Sequence, residues 1–260
     1  MDYQEFLESK MVTAPVSGFW VEKDKLNQAL KPHQKDAVQW AIAGGRRALF
    51  ESFGLGKTAQ EIEFCHQVVK REGGQALIVL PLGVRQEFTR DASELLGYEK
   101  PVYVRNQAEI DENRDREILM TNYERVRDGD IEPKQFAAVC LDEASVLRSY
   151  GSQTFQTFMP LFKGVKYKLV ATATPSPNKY KELIHYAGFL EVMDTGQALT
   201  RFFQRDSTKA NNLTLYPHKE EEFWLWISSW ALFIQKPSDL GYDDTGYDLP
   251  PFQVRMSRWL

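Results

Sequence analysis

Short apolar runs alternate along the first 200 residues with longer segments whose apolar side chains recur at helical spacing. The short runs are rich in Val, Ile and Leu and comprise "RRALF" (46–50), "ALIVL" (76–80), "PVYVR" (101–105), "EILMT" (117–121), "FAAVCLD" (136–142) and "YKLVATA" (167–173). Continuous apolar runs of this length are typical of strands buried on both faces. The longer segments include "KTAQEIEFCHQVVKRE", "GVRQEFTRDASELLG" and "NKYKELIHYAGFLEVM". The pattern predicts an α/β fold with a mostly parallel sheet flanked by helices.

The alternation stops after about residue 200, where we predict an aromatic helical extension. Four aromatic side chains recur there at helical spacing: Phe223, Trp226, Trp230 and Phe233. They predict an apolar helix face packed on the α/β lobe, and the alternative of aromatic rings that stack on bases stays open. The following "KPSDLGYDDTGYDLPPF" predicts an extended connector. The predicted parts are an N-terminal extension (1–27), an α/β lobe (28–200), and a helical extension with connector (201–260).

Composition narrows the class of protein. The chain has 260 residues, of which 43% are hydrophobic and 26% charged, so it can bury a sizeable core. A net charge of -4 argues against nucleic-acid binding through a diffuse basic surface, but it leaves room for a local phosphate-binding groove. Cys65 and Cys140 each lie in an apolar stretch. They predict buried, reduced thiols and an intracellular, cytoplasmic setting.

The sequence gives no indication of a membrane partner. The most apolar aromatic run, "FWLWISSWALFI", is shorter than the ~20 residues that a membrane-spanning helix needs. The N-terminal "MDYQEFLESK" opens with acidic residues and lacks the continuous apolar core of a secretory signal. We therefore expect a soluble protein.

Three polar clusters follow predicted strands. They are "ESFGLGKT" after the run 46–50, "DEAS" at the end of 136–142, and "TATPSPN" at the end of 167–173. Ligands of open parallel sheets bind outside the carboxyl ends of the strands, and these ends meet at one edge. The three clusters are therefore expected to form one site.

The cluster "ESFGLGKT" resembles the phosphate-binding pattern G-x-x-x-x-G-K-[ST], with a glutamate in place of the first glycine. Lys57 has the position that reaches the β- and γ-phosphates, and the Thr58 hydroxyl has the position that binds Mg²⁺. The loop residues before them, whose backbone would surround the phosphates, are Phe53, Gly54, Leu55 and Gly56. Taken alone, the loop is equally consistent with a surface turn before a helix.

The "DEAS" cluster supplies the acidic groups that such a site needs. Asp142 can hold the magnesium shell, while Glu143 can orient the attacking water and accept its proton. An acidic pair alone more often caps a helix. Together with the loop, the pair predicts a site for a nucleoside triphosphate and Mg²⁺, with Lys57, Asp142 and Glu143 as its catalytic residues.

At this level of detail the sequence resembles the first RecA-like lobe of superfamily-two, DEAD/DEAH-box-type helicases. The similar branch is the Snf-like one, whose loop reads D-x-x-G-L-G-K-T, and Glu51 occupies its acidic position. "LKPHQKDAVQW" is similar to the adenine-reading segment, which implies that the nucleotide is ATP and that Gln34 contacts it. "LVATATPSPNKYKEL" resembles the third motif, which implies that Thr172 and Thr174 couple nucleotide state to lobe movement.

Two further segments, "LIVLPLGVRQEF" and "ILMTNYERV", are similar to motifs that contact nucleic acid. This resemblance implies contacts from Pro81, Thr121, Asn122 and Tyr123. The C-terminal "FWLWISSWALFIQKPSDLG" and "LPPFQV" look most like helicase-like proteins of bacteriophages and mobile elements.

The chain departs from the family pattern at two positions. Ser145 replaces the histidine of D-E-A-H, so the coupling contact to the third motif is expected to be absent or made by a hydroxyl. Phe88 stands where many relatives have tryptophan, and we expect this difference to affect packing.

The resemblance implies an ATP-dependent motor that acts on nucleic acid, with duplex DNA favoured over RNA. Relatives continue past "LPPF" into a second RecA-like lobe that carries arginine fingers, and we expect that lobe to be missing from this chain, which stops at Leu260. An alternative is a nucleotide-gated module, in which ATP occupancy changes the affinity for a protein partner. A nuclease is a weaker alternative, because the sequence shows no second acidic metal cluster with a nearby lysine.

Overall fold

The computed structural model describes residues 12–149, 151–176, 179–205 and 213–247. Its main feature is a seven-stranded sheet with the order β3-β4-β2-β5-β6-β1-β9, in which every pairing is parallel. The strands are β1 (Arg46–Glu51), β2 (Ala76–Val79), β3 (Val102–Tyr103), β4 (Ile118–Thr121), β5 (Ala138–Leu141), β6 (Tyr167–Ala171) and β9 (Ala231–Ile234). A small antiparallel hairpin joins β7 (Phe203–Arg205) to β8 (Leu213–Leu215).

Helices connect these strands and cover both faces of the sheet. They are α1 (Pro32–Gly44), α2 (Lys57–Glu72), α3 (Arg85–Arg90), α4 (Gln107–Glu112), α5 (Tyr123–Arg127), α6 (Gln153–Leu161), α7 (Leu183–Phe189), α8 (Thr195–Phe202) and α9 (Glu220–Ser228). A π-helical turn (Asp91–Leu95) continues α3. The longest described helix, α2, follows the glycine loop and starts at Lys57.

The core has one apolar layer on each side of the sheet. Neighbouring strand residues point to opposite faces, as the pleat requires. Leu49 therefore packs with α1 and α2, while Phe50 packs with the layer under α6 to α9. Burial on both faces explains why the central strands appear in the sequence as continuous apolar runs.

The structure confirms the predicted α/β fold with its parallel sheet and flanking helices. Both cysteines are free and fully buried, and their Sγ atoms lie 3.4 Å apart between α2 and β5. Phe88 lies in the core of the layer that contains α1 and α2, which agrees with a packing role.

The segment after residue 200 differs from the predicted helical extension. Helix α9 ends at Ser228, and Ala231–Ile234 then forms β9, which pairs in parallel with β1. The helical reading is wrong for Phe233, because this residue lies on β9 beside Phe50 and is 43% exposed. The packing prediction holds for Phe223 and Trp226, which α9 buries completely in the core.

Several parts of the sequence-based reading lie outside the described residues. They are residues 1–11 of the predicted N-terminal extension, Pro177 and Asn178 of "TATPSPN", and residues 206–212 and 248–260 of the predicted helical extension and connector, which include "LPPFQV". Across the ranges that are described, no helix combines the length and the apolar character needed to span a membrane.

Candidate nucleotide site

The glycine loop connects β1 to α2 at the carboxyl edge of the sheet. Gly54 and Gly56 adopt positive φ angles of 82° and 79°, which side chains rarely tolerate. A Cβ at Gly56 would also lie 2.3 Å from Nε2 of Gln34, so a larger residue there would displace the Gln34 amide from its place against the loop. The loop therefore delivers Lys57 and Thr58 at the first turn of α2, where helix N–H groups can face an anion.

Glu51, in place of the first glycine of the phosphate-loop pattern, has a structural role. Its side chain is fully buried, and Oε2 accepts a hydrogen bond from Gln60 Nε2 at 2.8 Å. This contact ties the end of β1 to the first turns of α2. Burial raises the pKa of Glu51 from 4.5 to about 7, despite the opposing hydrogen bond from Gln60 and the charge of Lys57.

The raised pKa gives the nucleotide-free protein a pH-dependent stability. Between about pH 4.5 and pH 7 the folded state holds a proton on Glu51 that the unfolded state has released. The contribution of this group to stability is therefore complete below pH 4.5 and is lost as pH rises through about 7.

We expect Glu51→Gln to stabilise the nucleotide-free protein at alkaline pH, because a neutral amide has no charge to bury and can still accept from Gln60. The gain in unfolding free energy at about pH 8 should reach up to about 3 kcal/mol, falling to near zero at about pH 4. Urea unfolding at the two pH values measures the difference. An equal effect at both values would contradict the assigned titration.

Lys57 points back into the loop. Its ammonium group donates hydrogen bonds to the carbonyl oxygens of Glu51 at 2.9 Å and Ser52 at 3.2 Å. The exposed Phe53 ring has its centroid 5.6 Å from Lys57 Nζ. A buried ammonium held by backbone carbonyls is a preformed cation at the place where the loop surrounds an anion.

Thr58 contacts a carboxylate that was not singled out from the sequence. Its hydroxyl donates to Glu87 Oε1 at 3.2 Å, and Glu87 belongs to α3. The Thr58 oxygen thus already lies in an acidic environment that suits a divalent cation.

Asp142 follows β5 directly and is almost fully buried beside the loop helix. Its backbone carbonyl accepts a hydrogen bond from the Tyr123 hydroxyl at 2.6 Å, which fixes the end of the strand. Burial, reinforced by the neighbouring Glu143, raises the pKa of Asp142 to about 6. Glu61 of α2 is fully buried near Asp142, and burial together with that charge raises the pKa of Glu61 well above its usual value.

Glu143 connects the acidic cluster to the third motif. Its backbone lies in the left-handed region (φ 49°), a conformation that few non-glycine residues adopt and that is often found at functional sites. The Thr172 hydroxyl donates to Glu143 Oε2 at 3.2 Å, and the Thr174 N–H donates to the same Thr172 oxygen at 3.2 Å. The structure therefore joins Glu143, Thr172 and Thr174 in one hydrogen-bond chain.

A second link between the same motifs starts at Arg148, a residue that sequence reasoning missed. Its guanidinium donates from Nε to the Ser145 carbonyl at 3.0 Å and from Nη1 to the Thr174 carbonyl at 3.2 Å. The Ser145 hydroxyl lies 3.4 Å from the Glu143 carbonyl, so it does not replace the missing imidazole contact. His185 Nδ1 donates to the Arg148 carbonyl at 2.6 Å and holds this segment in place.

Gln34 lies against the loop, with both polar groups of its amide bonded to backbone. Nε2 donates to the Leu55 carbonyl at 2.8 Å, and Oε1 accepts from the Lys31 N–H at 2.8 Å. Gln34 therefore supports the loop conformation, in addition to any contact that it makes with a base.

The contacts of Gln34 with the loop change the effect on nucleotide binding that we expect from Gln34→Ala. A side chain that reads adenine alone would alter the preference for ATP over GTP, whereas one that holds the loop affects both nucleotides. We expect affinity for ATP and GTP to fall together by about 2- to 10-fold, the value of one or two hydrogen bonds. Competition binding with the two nucleotides measures this. A loss confined to ATP would return Gln34 to a purely base-reading role.

The four residues predicted to contact nucleic acid have different environments. Thr121 is fully buried and its hydroxyl donates to the Val104 carbonyl at 2.9 Å, so its contact with nucleic acid stays a prediction. The Tyr123 hydroxyl is bonded to Asp142 as described, and Asn122 is bonded to Tyr103 and Glu124. Pro81 is the partly exposed member of the set.

The residues present fit a nucleotide phosphate and Mg²⁺. A buried ammonium and a helix N-terminus suit phosphate, and a hydroxyl with a nearby carboxylate suits a hard divalent cation. In the described part of the chain no group of three or more His, Cys, Asp or Glu forms a metal cluster. Mg²⁺ commonly binds through one or two protein oxygens plus substrate phosphates, so a small ligand set agrees with it.

Curated proteins with detectable similarity are helicases and chromatin regulators. The chain is 26% identical over 171 residues to the "DNA annealing helicase and endonuclease ZRANB3" of Bos taurus, which covers 62% of this chain and 16% of that protein. It is 30% identical over 186 residues to a Bos taurus "SWI/SNF-related matrix-associated actin-dependent regulator of chromatin subfamily A-like protein 1", covering 66% and 18%. The chain thus spans less than a fifth of the length of these relatives.

Solved structures show the same fold. The Sulfolobus solfataricus SWI2/SNF2 ATPase core in complex with dsDNA superposes with a TM-score of 0.66 at 22% identity, over 83% of this chain and 46% of that one. The UvsW helicase from Bacteriophage T4 gives a TM-score of 0.51 at 16% identity, over 73% and 66%. These likenesses establish the RecA-like α/β fold.

The sequence model of one protein family covers most of the chain. It is described as the SNF2-related domain and matches residues 33–222, a range that includes the glycine loop, the acidic cluster and the third motif. The protein therefore belongs to the SNF2-related domain family.

Proposed function

We propose that this chain is the ATP-binding motor lobe of an ATP-dependent DNA helicase or translocase. One observation carries the proposal. The glycine loop with Lys57 and Thr58 lies at the same sheet edge as Asp142 and Glu143, and Glu143 is bonded to Thr172 of the third motif. A nucleotide-binding protein needs the phosphate loop and the acidic pair. A motor also needs a link from this site to the third motif.

In the proposed reaction the chain's own residues bind and orient ATP. Lys57 would exchange its carbonyl partners for the β- and γ-phosphate oxygens, and the loop N–H groups would bond the same phosphates. Glu143 would orient a water molecule and accept its proton as the water oxygen bonds to the γ-phosphorus and the bond to ADP breaks. Thr58 and Asp142 would hold Mg²⁺, which supplies neutralising charge on the phosphates when bound.

Glu143 also supplies a route from the nucleotide to the rest of the lobe. Once Glu143 has accepted the proton, its neutral carboxyl is a weaker acceptor for the Thr172 hydroxyl. Thr174 shares that hydroxyl and is held by Arg148. A change in the bound nucleotide would thereby change the contacts of the segment after β6.

We propose duplex DNA as the nucleic acid. Support comes from the similar Sulfolobus core, which was solved in complex with dsDNA, and from the similar Bos taurus protein, which is a DNA annealing helicase. On this chain Leu82, in the turn after β2, and Arg85, at the start of α3, are exposed, with Pro81 beside them. The Arg85 guanidinium lies 5.1 Å from the centre of the Tyr103 ring, which leaves a cation at this edge for a phosphate.

We also propose that a second RecA-like lobe completes the ATPase site. The chain covers 46% of the Sulfolobus core, in agreement with one lobe of a two-lobe motor. An arginine supplied across the cleft contributes roughly 10³ to 10⁵ to the rate of phosphoryl transfer. Hydrolysis by this chain alone should therefore be slow.

An intracellular setting and a phage or mobile-element origin remain predictions from the sequence.

The test is steady-state ATP hydrolysis with and without duplex DNA, for this chain and for a protein that carries both lobes. We expect ATP binding by both proteins and DNA-stimulated turnover by the two-lobe protein alone. ATP binding with hydrolysis that DNA does not change in either protein would favour a nucleotide-gated interaction module. Robust DNA-stimulated turnover by the 260-residue chain would contradict the need for a second lobe.

A further inference from the structure

Residues 235–247, here called the strap, leave β9 and return to the start of α1. A 3₁₀ turn (Pro237–Leu240) and Gly241, in the left-handed conformation, reverse the chain direction. The Tyr242 hydroxyl then donates to Asp36 Oδ2 at 2.8 Å, and Asp36 also pairs with Lys23. The strap is thus held on the helix that carries the predicted adenine-reading segment.

The last described residue of the strap, Tyr247, makes three contacts with the same helix start. Its hydroxyl lies 3.3 Å from Nε2 of His33, and the two rings meet edge to face with centroids 5.3 Å apart. The Lys31 ammonium lies 4.3 Å from the centre of the Tyr247 ring, within cation–π range. These contacts join parts of the chain that are 214 residues apart.

His33 lies beside the residue that holds the phosphate loop. The imidazole is almost fully buried, with 2% of the residue exposed. The next residue, Gln34, donates from Nε2 to the Leu55 carbonyl of the loop at 2.8 Å. The strap therefore contacts the helix start from which Gln34 holds the loop.

The hydrogen-bond donors along this path are consistent with a neutral imidazole. Burial lowers the pKa of His33, and the Lys31 charge lowers it further. A neutral ring has one N–H and one acceptor nitrogen. With Nε2 accepting from the Tyr247 hydroxyl, Nδ1 carries the hydrogen.

We propose that Tyr247 and His33 are positioning residues for the phosphate loop, so that strap docking and nucleotide binding strengthen each other. The proposal rests on the nucleotide site of the proposed function and adds a partner to it within the chain. A loop whose Leu55 carbonyl is held by Gln34, on a helix start that the strap fixes, needs less ordering when phosphate binds, which lowers the cost of binding.

Because strap docking and nucleotide binding are thermodynamically linked, the proposal can be tested by measuring either one. If docking of the strap raises nucleotide affinity by some factor, nucleotide must stabilise the docked strap by the same factor. The strap contains amides that report docking by hydrogen exchange, because the Gly241, Tyr242 and Tyr247 N–H groups bond to carbonyls within it.

The test combines Tyr247→Phe with nucleotide binding and hydrogen exchange on the 260-residue chain. This change removes the hydroxyl that faces His33 and keeps the ring that faces Lys31. ADP with Mg²⁺ is the probe, titrated calorimetrically, and strap exchange is followed with and without it. Tyr167→Phe is the matched control, because its hydroxyl donates to Glu72 at the opposite edge of the sheet.

We expect Tyr247→Phe to bind ADP about 2- to 10-fold more weakly, with thermal stability of the nucleotide-free chain unchanged. ADP should slow exchange of the wild-type strap and slow it less in the variant, while Tyr167→Phe behaves as wild type. Wild-type ADP affinity in Tyr247→Phe, with strap exchange that ADP does not alter, would overturn this inference alone. Failure of the wild-type chain to bind any nucleotide would overturn the proposed function as well.

Discussion

A Glu143→Gln variant is expected to bind ATP and Mg²⁺ as well as the wild type does but to hydrolyse ATP about 10²- to 10⁴-fold more slowly. The amide has the size of the carboxylate and can still accept the Thr172 hydrogen bond, so the local structure should persist. It cannot accept a proton from the attacking water. Single-turnover hydrolysis, with protein in excess over ATP, isolates this step from product release.

Glu72→Gln is a suitable control for that experiment. Its carboxylate bonds Tyr167 and Lys166 at the opposite edge of the sheet, so hydrolysis should not change. A Glu143→Gln variant that hydrolyses at the wild-type rate would show that another group accepts the proton.

Lys57→Ala should abolish productive ATP binding. The loop loses the one ammonium that the structure holds against its carbonyls, and with it the charge-assisted hydrogen bonds to two phosphates. We expect a loss in affinity of roughly 100-fold or more, measured by calorimetric titration of ATP in the presence of Mg²⁺.

Lys166→Ala provides the matched loss of a lysine, because its ammonium pairs with Glu72 on the surface away from the loop. Comparable ATP affinity in Lys57→Ala and in the wild type would mean that phosphate binds elsewhere. The two lysine variants also separate a local effect from a general change in charge.

The sequence predicted the parts of the fold that a repeating pattern encodes. Strands buried on both faces appear as apolar runs, and the polar clusters that follow them meet at one edge because all the strands are parallel. Strand β9 was missed for a physical reason. The aromatic residues from Phe223 to Phe233 keep helical spacing, but the chain leaves the helix after Ser228. Pairing with β1 then decides the conformation of Ala231–Ile234.

The charged residues of α2 show a second limit of pattern reading. The structure buries Gln60, Glu61 and Glu63 completely, although residues of these types are mostly exposed in folded proteins. Gln60 bonds Glu51, and Glu63 accepts hydrogen bonds from Asn27 and Tyr98. Partners so distant along the chain have no local signature in the sequence.

Distance along the chain also explains why sequence reasoning missed some residues of the site. Arg148 reaches the third motif only after β6 returns to the edge of β5, and Tyr247 reaches His33 only after the strap folds back on α1. The predicted site residues were those with a characteristic spacing, such as Lys57 with Thr58 and Asp142 with Glu143. Residues that support them from another element become visible in the folded chain.

A crystal structure of the chain with a non-hydrolysable ATP analogue and Mg²⁺ tests most directly whether the loop, Asp142 and Glu143 form one site. We expect the β- and γ-phosphates on the loop with Lys57 turned toward them, and the metal between Thr58 and Asp142. An analogue bound away from the loop, or a metal that contacts neither residue, would contradict it.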